Sequence, residues 1–193
     1  MLNKKIETYY PQNRTDWRQW LAANHQSRQS VWLIYYTKKS GIPSLTWSEA
    51  VDEALCFGWI DSTKKTIDGI SFMQLFSKRK PGSIWSKINK EKVQQLVDSG
   101  RMTKAGYESV ETAKQNGSWT ILDEVEELII PIDLEIAFEK QKGSKDYFLS
   151  LNKSSRKMIL SWIVLAKRQV TRQKRIDEVA ESAVKNLNPK HLR

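Results

Sequence analysis

Apolar residues along this chain recur first at mixed spacing and then almost wholly at helical spacing. Trp17, Trp20 and Leu21 fall on one helical face behind Thr15, a capping residue type, and the pattern fades near Asn24. Residues 31–37 are β-branched and aromatic with little alternation, which predicts a well-buried strand. Thr46 and Glu49 stand as a capping box before Val51, Ala54 and Leu55, and Gly58 ends the helix they open. Residues 60–67 and 70–77 flank Asp68-Gly69, a two-residue hairpin signal, with Phe72, Gln74 and Phe76 on one face of the second strand.

From Asn89 onward the period is helical. Asn89 caps a helix through Val93, Leu96 and Val97 that Gly100 stops, and Thr103 opens another with Tyr107 and Val110 that Gly117 stops. A short acidic helix over 122–130 closes at Pro131, and two more short helices follow over 133–140 and 144–151. Ser154 or Ser155 then caps the longest helix, reaching about Leu187, with Ile159, Ile163, Ala166 and Val170 as its buried stripe. The predicted class is α+β: helix, strand, helix and hairpin around a small antiparallel sheet, then a helical C-terminal region ending in one long helix. Residues 1–100 form the α+β part and residues 101–193 the helical part, packed as one compact unit without repeats or low-complexity linkers.

Composition narrows the class. Hydrophobic residues at 39% and charged residues at 28% describe a globular chain with a core, not a disordered one. The single cysteine, Cys56, excludes an internal disulfide and reads as a buried, inert thiol among Ala54, Leu55 and Phe57. Neither a secretory signal nor a transmembrane run is legible, so a cytoplasmic location is expected. The net charge of +10 is uneven: residues 62–104 carry 10 basic and 3 acidic side chains, residues 105–151 carry 4 and 10, and residues 152–193 carry 11 and 3. Basic blocks attract polyanions, while the acidic block can neutralise one of them internally.

Two constellations hold the candidate chemistry. Arg168, Arg172 and Arg175 share a helical face, with Lys167 alongside. Like charges at that spacing repel, so a partner is expected: a bound anion, or the acidic residues Asp123, Glu124, Glu126 and Glu127 docked across them, internal pairing being the commoner arrangement. Lys78-Arg79-Lys80 with Trp59 and Trp85 suits a stacked base or a sugar-phosphate, against the plainer and favoured reading of core tryptophans beside a solvated loop. Asp61 is a base candidate or an ion-pair partner of Arg79. His25 and His191 are the only histidines, and no Gly-rich phosphate loop or dinucleotide fingerprint occurs, so neither a cofactor nor a catalytic site is implied. The expected activity is binding of a small anionic ligand through Trp59, Asp61, Arg79, Trp85, Lys167, Arg168, Arg172 and Arg175. The alternative is a nucleic-acid-binding module built on the basic hairpin and the C-terminal helix.

Residues 53–61, Arg79-Lys80-Pro81 with residues 84–91, and Gly100-Arg101-Met102-Thr103 follow one another in that order, ahead of Trp162-Ile163, Ala166-Lys167-Arg168, Thr171-Arg172 and Arg175-Ile176. Together, over nearly the whole chain, they resemble the bacterial YdeI/OmpD-associated (OmdA, bacteriocin-protection) family. That resemblance implies a YjbR/CyaY-like α+β part followed by helices, and a role in stress or in protection from bacteriocins or antimicrobial peptides. Some members of the family are described as envelope-associated, and the expected lack of an export signal sets this chain apart from them. CyaY relatives suggest iron on an acidic first helix, but here that helix reads Trp17-Arg18-Gln19-Trp20-Leu21 with only Asp16 nearby. The YjbR side has been likened to DNA-binding winged folds, with which the basic hairpin is compatible.

Overall fold

The computed structural model describes residues 6–192, which divide by their internal packing into two units meeting between Trp119 and Thr120. The first unit holds a four-stranded sheet in the order β1-β2-β4-β3: β1 Thr8–Tyr9, β2 Ser30–Tyr36, β3 Trp59–Thr66 and β4 Ser71–Lys78. The expected antiparallel sheet is present as β2, β4 and β3, and β1 adds a parallel edge paired with Trp32 and Leu33. Four helices accompany it: α1 Arg14–Asn24, α2 Trp47–Cys56, α3 Lys87–Asp98 and α4 Lys104–Gln115. The packing of α4 on α2 carries this unit past residue 100.

Burial in β2 alternates: Val31, Leu33 and Tyr35 are buried, whereas Trp32, Ile34 and Tyr36 on the other face are only half-buried. The strand is therefore one-sided, not sunk on both faces as its uninterrupted apolar run suggests. Val31, Leu33 and Tyr35 pair with Phe76, Gln74 and Phe72 of β4. With Trp17, Trp20 and Leu21 of α1, and Ala50, Val51, Ala54 and Leu55 of α2, they form the core.

Helix starts follow the hydrogen bonds, which correct three expected caps. Asn13, not Thr15, caps α1 by accepting from the Asp16 N–H, and Ser86, not Asn89, caps α3 by accepting from the Asn89 N–H. Thr46 and Glu49 make both bonds of the capping box on α2. The hairpin turn is wider than Asp68-Gly69 alone. The Asp68 carboxylate accepts from the Ile70 and Ser71 N–H groups and the Ser71 hydroxyl, so the side chain closes the turn and Gly69 has no left-handed φ.

The second unit is helical: α5 Asp123–Glu126, α6 Ile132–Glu139, α7 Ser144–Ser150, α8 Lys153–Val164 and α9 Gln169–Val184, the last being the longest helix of the protein. Its core joins Leu134, Phe138, Phe148, Ile159, Leu160 and Ile163 to Ile176, Val179 and Ala180. The segment from Ser154 to Leu187 is two helices, not one, and α8 is capped by Asn152. Ile163 and Ile176 lie 13 positions apart, which at about 100° per residue puts them some 220° out of phase on a straight helix. Only a break lets both reach one core. It falls at residues 165–168, where Arg168 is extended, and it leaves Val170 exposed instead of in the buried stripe.

Candidate functional site

The junction of α2 with β3 shapes a cavity in the first unit. Gly58, at φ +71°, turns the chain out of α2, and a Cβ there would press against the carbonyl oxygen of Ala105 and the side chain of Ser109 on α4. The Gly58 carbonyl accepts the Arg79 N–H at 2.9 Å, tying the end of β4 to the same point. Between these elements lies a cavity of about 280 Å³. His25, Lys78, Arg79 and Lys80 line one side, Ala105, Glu108, Ser109 and Thr112 of α4 the other, and Phe57 and Gly58 the end between them. An adjoining lobe extends past His25, Phe57 and Glu108 to Thr103 and Lys104, at the start of α4.

Small side chains open that space. Ala105, Ser109 and Thr112 recur at i, i+4 and i+7, so one face of α4 stays low opposite Phe57 and Gly58. Gly106 makes the close approach possible, since a Cβ there would collide with Met102 and the Cys56 carbonyl. That carbonyl accepts from both the Thr103 N–H and the Thr103 hydroxyl, so α4 starts without a side-chain cap on its N–H groups.

Arg79 dominates the electrostatics. Its guanidinium lies 3.6 Å from the centre of the buried Trp85 ring, and its Nη1 donates to the Ile84 carbonyl at 3.2 Å. Its Nε is buried with no hydrogen-bond partner, and among the described residues no carboxylate is within ion-pair distance. Burial pushes the Arg79 pKa down to about 10, with Asp61 countering part of the effect. Nearby, the Lys78 ammonium donates to the Gln26 carbonyl at 3.1 Å. The His25 Nδ1 stands 2.9 Å from the Leu21 carbonyl, which can only accept, so the proton of the neutral ring sits there and Nε2 is left as an acceptor.

Over residues 9–109, more than half of the chain and most of this groove, the sequence matches the family model described as Domain of unknown function (DUF8412). The chain belongs to the DUF8412 family. Residues 127–186 match a second model, described as Bacteriocin-protection, YdeI or OmpD-Associated (OmdA), so the C-terminal part of the resemblance is found there and the N-terminal part is a DUF8412 domain. Neither the search of curated proteins nor that of solved structures returns a match.

Within the DUF8412 region, Arg79 packs on Trp85, and of Trp59, Arg79 and Trp85 only Arg79 lines the cavity. Trp59 is fully buried behind it and donates its indole N–H to the His25 carbonyl at 3.3 Å. Asp61 accepts from the indole of Trp47 at 2.9 Å and the Gln74 amide at 3.1 Å. That amide also donates to the Ser62 carbonyl across the register shift that follows Asp61 in β3. In the second unit, Arg172 makes two bonds to Asp133, at 2.6 and 2.8 Å. Arg175 packs over the Trp162 ring and donates to the Trp162 carbonyl, while Lys167 and Arg168 are exposed in the break. Of the arginine face, Arg172 alone has a carboxylate partner among the described residues, and it is Asp133 of α6 rather than the Asp123–Glu127 acids, of which Glu126 pairs with Lys157.

A second charged cluster escaped the sequence reading. Glu53 of α2, fully buried, accepts from Arg14 and Arg18 of α1 at 2.5 and 2.6 Å, and from Arg101. Arg18 also donates to the Arg101 carbonyl and stacks on Phe57. Burial would raise the Glu53 carboxyl, but the three guanidinium hydrogen bonds outweigh it and hold it below its ordinary value. His25 and Glu108 escaped it as well, because they meet only through packing. The low stripe on α4 was the one local signal for that wall. Among the described residues no group of three metal-ligating side chains gathers, and no helix is long and apolar enough to cross a membrane.

Proposed function

We propose that this chain is a non-catalytic binding protein whose DUF8412 region captures a small anionic ligand in the groove between the end of β4 and α4. The observation that carries this reading is Arg79: a guanidinium stacked on Trp85, with a buried Nε lacking a partner and no carboxylate at ion-pair distance, on the wall of a cavity. A cation drawn out of water without a counter-charge is costly, and an anion entering the cavity supplies that charge. Lys78 and Lys80 beside it and the uncapped start of α4 add positive potential. The OmdA description of residues 127–186 supports a place for such binding in protection from bacteriocins or similar stress. Trp59 and Trp85 serve as rigid backing, and the paired Arg172 and Arg175 lie outside the binding set.

The test is a titration of the full-length protein with inorganic phosphate, followed by amide chemical shifts. Saturable shifts at Gly58, Arg79 and Ser109 that disappear in Arg79→Gln are expected. Shifts that persist unchanged in that variant, or none at all, would overturn the reading. Duplex DNA in the same titration separates the nucleic-acid alternative, which predicts shifts along Lys64 and Lys65 of the hairpin instead.

A further inference from the structure

The groove is not purely cationic. Glu108 of α4 lines both of its lobes, and among the described residues no other carboxylate does so. A site made for a simple anion gains nothing from a carboxylate on the facing wall, which repels the charge that Arg79 attracts. Glu108 is also lightly held. Its nearest cation is the Lys104 ammonium at 3.8 Å, and the two side chains are 65% and 91% exposed, so water screens the pair and little is lost when Glu108 turns to another partner.

A guanidinium on one wall and a carboxylate on the other match a ligand bearing both charges. The two lobes, of about 280 and 320 Å³, each stand at the lower end of ligand-site volumes, so a molecule of amino-acid size fits within either. The remaining lysines set the ligand's net charge. Lys78, Arg79, Lys80 and Lys104 outnumber Glu108 along the groove, so a zwitterion with a further negative group is favoured over a neutral one. Resting on the anion-binding reading above, we infer that the ligand is an acidic amino acid, with a carboxylate on Arg79 and its ammonium facing Glu108. Glu108 is then the residue that determines specificity, weakening the binding of anions that lack an amino group about tenfold without excluding them.

Calorimetric titration of the full-length protein with L-glutamate and with glutarate, the same carbon chain without the amino group, tests this. Glutamate is expected to bind about tenfold more tightly than glutarate, a margin of about 1.4 kcal/mol. Glu108→Gln should bring the two to parity while leaving glutarate as tight or tighter, and Arg79→Gln should lose both. Equal affinities in the natural protein, or a preference for glutamate that survives Glu108→Gln, would overturn the inference. If glutarate and phosphate still bind through Arg79 in that case, the anion-binding reading stands without it. If none of the three binds, both fall together.

Discussion

The guanidinium of Arg79 lies 3.6 Å from the ring centre of Trp85, and the ring is buried while, among the described residues, no carboxylate stands at ion-pair distance from the charge above it. Such a pairing helps to hold the cation, since cation–π contacts contribute about 0.5–2 kcal/mol, but leaves its desolvation uncompensated. Arg79→Met keeps the packing on Trp85 and removes the charge. Thermal unfolding of this variant is expected at the same or a higher temperature than the natural protein, with phosphate binding lost. A large drop in melting temperature would instead make Arg79 a structural support.

Glu53 has the opposite balance, a buried anion met by three cations. Glu53→Ala leaves Arg18 and Arg101 without their carboxylate and Arg14 with only Asp52 at 3.8 Å, and should cost about 3–5 kcal/mol in denaturant unfolding. The pH dependence follows from its depressed carboxyl. The stabilisation is complete above the ordinary value of 4.5 and is lost as pH falls below it toward the lower folded value. Acid titration of the natural protein should therefore show stability declining below about pH 4.5, and Glu53→Gln should flatten part of that decline.

Gly58 combines a left-handed φ with a wall position. Gly58→Ala strains the backbone and pushes on the Ala105 carbonyl, so a loss of at least about 1–3 kcal/mol is expected. The added methyl group also narrows the cavity, and phosphate affinity measured on the folded fraction should fall with it.

In the second unit, Asp133→Ala removes both acceptors of the Arg172 fork. Hydrogen bonds to charged groups contribute about 1.5–3 kcal/mol, and a loss of that size in unfolding is expected. Phosphate binding in the first unit should not change. A loss of binding in Asp133→Ala would place the arginine face within the binding set after all.

Local chemistry is legible where one short segment contains a strong signal of its own: Thr46 and Glu49 cap α2, and Gly58 ends it. It is misplaced by a few positions where neighbouring polar residues compete, as at Asn13, Ser86 and Asn152, and lost where the cause is tertiary or lies in phase. The run over 31–37 hides a one-sided strand because its outward face is nearly as apolar as its inward one. The break at residues 165–168 carries no glycine or proline, and only the phase slip between Ile163 and Ile176 announces it. Lys167, Arg168, Arg172 and Arg175 share a face only on an unbroken helix. Asp133 lies in the first turn of α6, whereas the denser acidic block at 123–127 gives the stronger sequence signal. His25 and Glu108 lie 83 positions apart, and nothing local connects either with Arg79.

The bond from Arg101 to Glu53 has a consequence for the order of events during synthesis. Glu53, Arg14 and Arg18 leave the ribosome early, but the third cation comes 48 residues after the carboxylate, and α4, which closes over Cys56 and Gly58, comes later still. At about 5–20 residues per second, the nascent sheet waits several seconds with the Glu53 carboxylate lacking one of its three guanidinium donors and the α4 side of its core open. A fragment cut at the end of α3 would stay in that waiting state, exposing Phe57 to chaperones. The shortest piece of this chain expected to fold on its own is therefore the first unit, which runs through α4 to Trp119.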